Sequence, residues 1–156
     1  MNMRIAVVGS TGMFGSELLN LLKTKGIESQ GFNRGNLDLE QSPDSMATEF
    51  KGFDAVVNAI AFTTVDKAES EIYEANTVNG IYAGLLAQAA KIAGARFIHI
   101  STDYIFDGTA STPYKVDEQI NPQTAYGKSK ALGEQLVAES GADYSILRTA
   151  WLYGAN

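Results

Sequence analysis

Short apolar runs rich in valine and isoleucine alternate along the chain with longer segments whose apolar positions recur at helical spacing. The runs predict five strands, at Ile5–Val8, Ile27–Phe32, Ala55–Val57, Phe97–Ile100 and Tyr144–Leu147. The longer segments predict helices at about 13–25, 43–51, 69–93 and 123–140. The first, third and fourth strands hardly alternate with polar residues, which predicts that they are buried on both faces of a sheet.

This alternation of strands and helices predicts the fold class. Parallel neighbours need crossover connections, so the order indicates an α/β fold with a doubly wound, Rossmann-like parallel sheet and helices on both faces. Dinucleotide folds usually carry six or more strands, so five strands predict a sheet that is incomplete at its C-terminal edge. Residues 1–156 are expected to form one NAD(P)-binding domain. The long connections 33–42 and 102–122 are expected to be functional.

Composition and charge exclude several classes of function. The net charge is −6, from 12 basic and 18 acidic residues without a basic block, which argues against a nucleic-acid partner. The chain has no cysteine, so disulfides, a cysteine nucleophile and thiolate metal sites are excluded. Histidines and carboxylates do not recur at metal-ligand spacing, and no catalytic metal is expected. Without an 18-residue apolar run or a signal peptide, a cytoplasmic protein without a membrane partner is expected.

A glycine-rich turn follows the first strand and begins the first predicted helix. Gly9 permits a tight turn, Gly12 lets the backbone approach a phosphate, and Gly15 allows the helix to pack closely. The N–H groups at the start of the helix would then face a pyrophosphate. This context predicts a dinucleotide site, and the GxxGxxG spacing favours short-chain dehydrogenases.

The end of the second strand bears on the choice of cofactor. An NAD enzyme places an acidic residue there, whereas this strand ends in Asn33 and Arg34. Arg34 can meet the 2′-phosphate of NADP through charge-assisted hydrogen bonds, and Asp38 is placed near the adenine. We therefore predict a preference for NADP(H), with NAD(H) as the alternative cofactor. The other interpretation of Arg34 is a solvated loop charge.

Tyr126 and Lys130 are four residues apart at the start of a predicted helix and so share one face. A phenol with a pKa near ~10 is a poor proton donor at neutral pH unless a nearby cation favours its charged form. Lys130 is predicted to supply that cation and to bind the nicotinamide ribose. Thr102 ends the fourth strand, where its hydroxyl can hydrogen-bond the same carbonyl oxygen. The alternative interpretation is that Tyr126 and Lys130 simply lie on a solvated helix face and have no catalytic role.

Five segments together resemble the short-chain dehydrogenase/reductase superfamily of the extended type, and most closely the dTDP-4-dehydrorhamnose reductase family. They are Gly9–Gly15, Asn58–Glu69, Ser101–Gly108, Tyr126–Lys130 and Arg148–Gly154. The segments STDYIFDG and VDKAE are far more specific than the glycine turn. The match spans nearly the whole chain in the family's order.

The resemblance implies a set of site residues. Thr102, Tyr126 and Lys130 would be catalytic. The residues that would bind the cofactor are Gly9, Thr11, Gly12, Met13, Phe14, Gly15, Asn33, Arg34, Asp38, Leu39, Ala59, Ile60, Ala61, Thr63, Tyr126 and Lys130. Those that would bind the substrate are Thr63, Val65, Thr102, Tyr104, Tyr126 and Trp151. Asn79 matches the family's helix asparagine near the active site, whereas Phe62 stands where the family often has histidine.

The resemblance also implies a function and two alternatives. The leading expectation is an NADPH-dependent reductase of the C4 ketone of a dTDP-4-keto-6-deoxy sugar, in dTDP-rhamnose biosynthesis. The alternatives are an NAD-dependent sugar-nucleotide epimerase or dehydratase, and a non-catalytic dinucleotide-binding regulatory subunit. Family members run on for about as many residues again, so the substrate-binding part that closes over the sugar nucleotide is expected to lie outside these 156 residues. A homodimer is expected if no other segment covers the last strand.

Simpler interpretations apply to other polar residues. His99 is the only histidine and is predicted to be a packed core residue on the fourth strand. Asp66, Lys67 and Glu69 are predicted to form a solvated helix start that the helix dipole favours. Trp151 either packs against the domain or stacks on a ligand.

Overall fold

The computed structural model describes residues 3–154, which fold around one parallel sheet of five strands. The strands are β1 (Arg4–Val8), β2 (Glu28–Phe32), β3 (Ala55–Asn58), β4 (Arg96–Thr102) and β5 (Tyr144–Thr149). Their order across the sheet is β2-β1-β3-β4-β5, and every neighbouring pair is parallel. The predicted Rossmann-like α/β fold is therefore confirmed.

The helices are α1 (Met13–Thr24), α2 (Pro43–Glu49), α3 (Val65–Ala68), α4 (Ile72–Asn76), α5 (Tyr82–Ala93) and α6 (Ala125–Glu139). From β1 the chain steps in one direction to β2, and every later crossover steps the other way. Right-handed crossovers therefore place α1 on one face of the sheet and α2, α5 and α6 on the other. Phenylalanines from strands and loops form the core beneath α2 and α5, among them Phe32, Phe50 and Phe97.

The two faces are covered unequally, which corrects the prediction that β4 is buried on both sides. Phe97 and His99 are buried on the face of α6, whereas Ile98 and Ile100 are only partly buried on the face of α1. Helix α1 packs mainly on β1 and β2, and the side chains of β4 and β5 on this face are only partly covered by the described residues. Leu147 pairs with Ile100 in the parallel register, points to this same face and is 50% exposed.

The predicted helix 69–93 is confirmed from residue 72 to residue 93, but it begins three residues later than predicted and contains a π-helical turn. Helix α4 passes without a break into the π-helical turn over Thr77–Ile81 and then into α5, while α3 is a separate short helix that ends before residue 69. The Ser70 hydroxyl donates to the carbonyl of Lys67 at 3.0 Å, which satisfies a last-turn carbonyl and helps to end α3. π-Turns inside helices are frequent at functional sites, and this one carries Asn79. The other helices agree with their predicted ranges to within one or two residues at each end.

The exposed edge of β5 leads to a prediction about self-association. Among the described residues β5 pairs only with β4, and an unpaired apolar edge is a template for another strand. Leu147→Lys should therefore weaken self-association with little change in thermal stability, as measured by analytical ultracentrifugation. Leu21→Lys is the matched control, because Leu21 is 53% exposed on α1, away from β5. Equal effects of both variants would contradict association through β5.

No helix within residues 3–154 is long and apolar enough to cross a membrane.

Candidate active site

The glycine turn between β1 and α1 requires glycine for steric reasons. Gly9 has a φ of +91°, and a Cβ there would lie 2.8 Å from the main-chain carbon of Ala59. A Cβ on Gly15 would overlap the carbonyl oxygen of Gly9. Helix α1 begins after Gly12 without a side-chain cap or an acidic residue in its first turn, so its N-terminal amides carry no competing side-chain acceptor.

A cavity of about 330 Å³ lies beside this turn. Nine residues predicted to bind the cofactor line it: Gly9, Thr11, Gly12, Asn33, Arg34, Leu39, Ala59, Ile60 and Ala61. Four further lining residues were not predicted: Val8, Leu37, Val78 and Tyr82. The last two lie in or next to the π-turn, whose position no periodicity signal indicated.

The seven other residues predicted to bind the cofactor do not line this cavity: Met13, Phe14, Gly15, Asp38, Thr63, Tyr126 and Lys130. The Asp38 carboxylate accepts hydrogen bonds from the main-chain N–H of Glu40 at 2.9 Å and from the side chain of Gln41 at 3.4 Å. It therefore shapes the connection after β2, while its neighbours Leu37 and Leu39 supply the apolar wall. Its predicted place near an adenine remains a prediction.

A turn stabilised by two asparagines presents Arg34. The Asn33 side chain accepts from the N–H of Gly35 at 2.8 Å, and Asn36 accepts from the N–H of Asn33 at 2.7 Å. Asx side chains of this kind fix tight turns. Arg34 is exposed at the rim of the cavity, where a guanidinium remains available to an anionic ligand.

Thr102, Tyr126 and Lys130 come together at the carboxyl end of β4. Tyr126 lies in the first turn of α6, whose N-cap Thr124 accepts from the N–H of Gly127 at 3.0 Å. Glu69 accepts from the N–H of Ala125 at 2.8 Å. Glu69 therefore caps α6, which corrects the expectation that it only solvates its own helix start.

Burial and the Thr102 side chain act in opposite directions on the pKa of Tyr126. Desolvation raises the pKa of its phenol above the usual value, while the neighbouring Thr102 hydroxyl lowers it and the nearby Asp103 raises it. The net direction is upward, so the phenol keeps its proton at neutral pH. The ring of Tyr104 packs edge-on against that of Tyr126, with centroids 5.6 Å apart.

Lys130 does not act on Tyr126 as the sequence suggested. Its side chain is buried, and its Nζ donates to the carbonyl oxygen of Ile100 at 2.7 Å. Desolvation lowers the pKa of Lys130 to about 8, and Glu134 opposes that shift. The expected lowering of the Tyr126 pKa by this cation is therefore not found, because the ammonium is bonded to a main-chain carbonyl and the phenol pKa is raised.

Asn79 connects the π-turn to both the β3 loop and α6. Its amide accepts from the N–H of Phe62 at 2.8 Å and donates to the carbonyl of Phe62 at 3.1 Å. It also donates to the Ser129 hydroxyl at 2.9 Å, and Ser129 donates to the carbonyl of Tyr126 at 2.7 Å. Phe62 itself packs with Tyr126 against a small cluster of alanines. Sequence reasoning missed Ser129, which carries no signal outside this network.

The predicted substrate residues are less enclosed. Thr63 is exposed, Val65 is half-buried at the start of α3, and Trp151 is 92% exposed with a φ of +52°. The interpretation that Trp151 packs against the domain is therefore wrong for residues 3–154. Its contact with a ligand stays a prediction.

His99 is a core residue, as predicted. It is fully buried, stacks on Phe97 with ring centroids 6.4 Å apart, and its Nδ1 accepts from the Asn58 amide at 3.1 Å. Desolvation, with the nearby Lys130, lowers the pKa of His99 to about 3, so the ring is neutral. Across residues 3–154, histidine, aspartate and glutamate side chains do not form a group of three that could hold a metal ion.

Relatives of known sequence match this chain over about half of their own length. A Bacillus subtilis protein, "Spore coat polysaccharide biosynthesis protein SpsK", is 39% identical over 153 residues, 97% of this chain and 54% of the relative. A "dTDP-4-dehydrorhamnose reductase" of Burkholderia thailandensis is 44% identical over 155 residues, 98% of this chain and 51% of the relative. The chain thus spans about half the length of these curated relatives.

Solved structures agree with this match. The dTDP-4-dehydrorhamnose reductase of Bacillus anthracis, solved in complex with NADP, superimposes with a TM-score of 0.92 at 32% identity, over 100% of this chain and 56% of that one. The corresponding protein of Clostridium acetobutylicum has a TM-score of 0.90 at 39% identity, over 99% of this chain and 55% of that one. The family model described as "RmlD substrate binding domain" matches residues 3–156. On this match the chain belongs to the RmlD substrate binding domain family, as the resemblance to dTDP-4-dehydrorhamnose reductases predicted.

Proposed function

We propose that this chain is the cofactor-binding and catalytic half of an NADPH-dependent reductase that acts on the C4 ketone of a dTDP-4-keto-6-deoxy sugar. The observation that carries the proposal is the convergence of Thr102, Tyr126 and Lys130 at the end of β4, the sheet edge where open α/β folds bind ligands. The substrate-binding remainder of such an enzyme would lie outside residues 1–156. Relatives named for this activity, and about twice as long, support the division.

The glycine turn fits a dinucleotide. The space that a Cβ at Gly9 would need is taken by the backbone after β3, so that backbone and the turn form one continuous wall of the cavity. The uncapped N-terminus of α1 would meet the pyrophosphate with its amides. Arg34 would bind the 2′-phosphate, because the carboxylate of Asp38 is already engaged by Glu40 and Gln41.

Each catalytic residue takes a defined role in this proposal. NADPH supplies the hydride for the carbonyl carbon of the sugar. Tyr126 donates the proton to the carbonyl oxygen, and its raised pKa keeps that proton in place until the transfer. Thr102 orients the same oxygen. Lys130 holds the nicotinamide ribose. To do so, its ammonium must either give up its hydrogen bond to the carbonyl of Ile100 or donate to that carbonyl and to the ribose together.

The cofactor preference is tested by titration calorimetry with NADPH and NADH. Arg34→Ala should weaken NADPH binding by about 10–100-fold, because a hydrogen bond to a charged group contributes about 1.5–3 kcal/mol. NADH binding should hardly change. Arg96→Ala is the control, since Arg96 lies at the opposite end of the sheet and bonds Ser145. Tighter binding of NADH than of NADPH to the unmodified chain would contradict the reductase proposal and favour an epimerase or dehydratase.

A further inference from the structure

A partly buried ion pair lies one helical turn beyond Lys130. The Arg148 guanidinium on β5 donates two hydrogen bonds to the Glu134 carboxylate on α6, from Nε to Oε1 at 3.0 Å and from Nη2 to Oε2 at 2.8 Å. The side chain of Glu134 is only 8% exposed. Removing charges from water is costly unless the geometry compensates, and the bidentate fork is the geometry that does so.

Glu134 also holds the strand end that carries Thr102. Its Oε1 accepts from the Ser101 hydroxyl at 2.6 Å, while Lys130 donates to the carbonyl of Ile100. Residues four apart share one face of a helix. Lys130 and Glu134, one turn apart on the same face of α6, therefore hydrogen-bond the two residues that precede Thr102 on β4.

Arg148 reaches the long connection between β4 and α6. Its Nη1 donates to the carbonyl of Val116 at 2.9 Å, and its guanidinium lies 5.3 Å from the ring centroid of Phe106. Phe106 in turn stacks on Tyr114, with ring centroids 4.2 Å apart. One side chain thus attaches both the start and the middle of this connection to the sheet.

Asp107 forms hydrogen bonds within the same connection. Its carboxylate accepts from the hydroxyls of Thr109 and Tyr114, each at 2.8 Å, and from the side chain of Asn121 at 3.2 Å. Asn121 lies four residues before the first residue of α6. The connection is therefore a preformed loop whose end sets where the helix of Tyr126 begins.

We propose that Glu134 and Arg148 form a positioning pair, in which Glu134 keeps a negative charge beside Lys130 and Arg148 holds residues 106–121 against the sheet next to Tyr126. The inference rests on the proposed function, because it assigns the pair to the site where Lys130 binds the nicotinamide ribose. The pair acts through Lys130, Thr102 and the loop, and takes no direct part in proton transfer.

The charged and titratable groups around Lys130 come from two strands and its own helix. Glu134 and Tyr126 lie on α6, His99 and the following Asp103 on or after β4, and Arg148 on β5 is already paired with Glu134. His99 stays neutral because its pKa is about 3. Glu134 raises the pKa of Lys130 against the lowering by burial. Loss of the carboxylate charge should therefore lower that pKa further.

The first test is the pH dependence of NADPH affinity, measured by fluorescence titration from about pH 7, above the second ionisation of the 2′-phosphate near ~6. In the unmodified chain affinity should fall as pH rises past the pKa of Lys130, about 8. Glu134→Gln keeps an oxygen that can accept the hydrogen bond from Ser101. This variant should shift the decrease in NADPH affinity to a pH about 1 unit lower. Arg148→Lys keeps the positive charge and should leave the pH at which NADPH affinity decreases unchanged.

The second test is amide hydrogen exchange in residues 107–121. Arg148→Lys and Arg148→Met should each accelerate exchange there by about tenfold or more, because neither side chain can make the three donations of the guanidinium. Arg96→Met is the matched control, since Arg96 also joins β4 to β5, through the Ser145 hydroxyl at 3.0 Å. It should leave the loop protected.

An unchanged pH profile in Glu134→Gln, with loop exchange in Arg148→Met no faster than in Arg96→Met, would overturn the proposal. If Glu134→Gln does not fold, the double variant Glu134→Gln/Arg148→Met replaces it, because it does not leave the Arg148 charge without its partner. If the unmodified chain binds no NADPH at any pH, the proposed function fails, and hydrogen exchange alone then decides whether Arg148 anchors the loop.

Discussion

Tyr126→Phe should lower kcat by about 10²–10⁴-fold in a reductase that carries this chain as its first half, the usual contribution of a positioned general acid. The phenol is partly buried beside Thr102 and its pKa is raised, so it carries its proton at neutral pH. NADPH affinity should hardly change, because the proposed partner of the hydroxyl is the sugar carbonyl. Steady-state kinetics and cofactor titration on the same samples separate the two effects.

Two further variants sharpen this expectation. Lys130→Met should damage both turnover and NADPH affinity, since Lys130 is proposed to hold the ribose. Tyr73→Phe is the control for loss of a phenol, because Tyr73 is exposed on α4. A near-normal kcat in Tyr126→Phe at neutral pH would mean that another group supplies the proton.

Residues 1–156 expressed alone should bind NADPH yet reduce the sugar nucleotide at less than about 1 s⁻¹, the low end of ordinary turnover. The residues proposed to bind the cofactor lie within this chain, whereas Trp151 is exposed and the sheet face that carries Leu147 is only partly covered. A site open on one side loses orientation of the reactants, which can be worth several kcal/mol (about 7–11 in well-oriented systems) of the barrier. It also leaves its charges screened by water.

A chimera provides the matched comparison for this prediction. Residues 1–156 joined to the second half of the Burkholderia thailandensis relative, which is 44% identical over the first half, should recover turnover. Sizing of both samples in parallel shows whether the uncovered edge of β5 is buried in each. Turnover at or above about 1 s⁻¹ from a clean monomer of residues 1–156 would contradict the need for a second half.

Local patterns in the sequence were sufficient for the elements that short-range chemistry controls. Valine- and isoleucine-rich runs predicted the five strands, and the right-handed crossover rule then left only a doubly wound parallel sheet. The glycine spacing predicted the turn because the backbone of Ala59 and the carbonyl of Gly9 leave no room for a Cβ at Gly9 or Gly15. The four-residue spacing of Tyr126 and Lys130 placed both on one helix face.

The π-helical turn inside the third predicted helix was beyond such patterns. Helical spacing continues from 69 to 93, but tertiary contacts of Asn79 with Phe62 and Ser129 accompany a π-turn in the middle of that segment. A π-turn shifts the register of the side chains that follow it. Val78 and Tyr82 consequently line the cavity without a signal in the sequence.

The electrostatics of the site depended entirely on tertiary structure. The sequence places a cation one turn from Tyr126, yet the three-dimensional arrangement turns the Lys130 ammonium to the carbonyl of Ile100 and partly buries the phenol. Glu69 caps α6 across 56 positions of sequence, and Arg148 joins β5 to both Glu134 and the connection at Val116. The sequence by itself determined which residues are candidates for the chemistry, because motif spacing and strand periodicity are local. Only the tertiary structure decided their protonation and their partners, since burial and hydrogen bonding over long sequence separations set both.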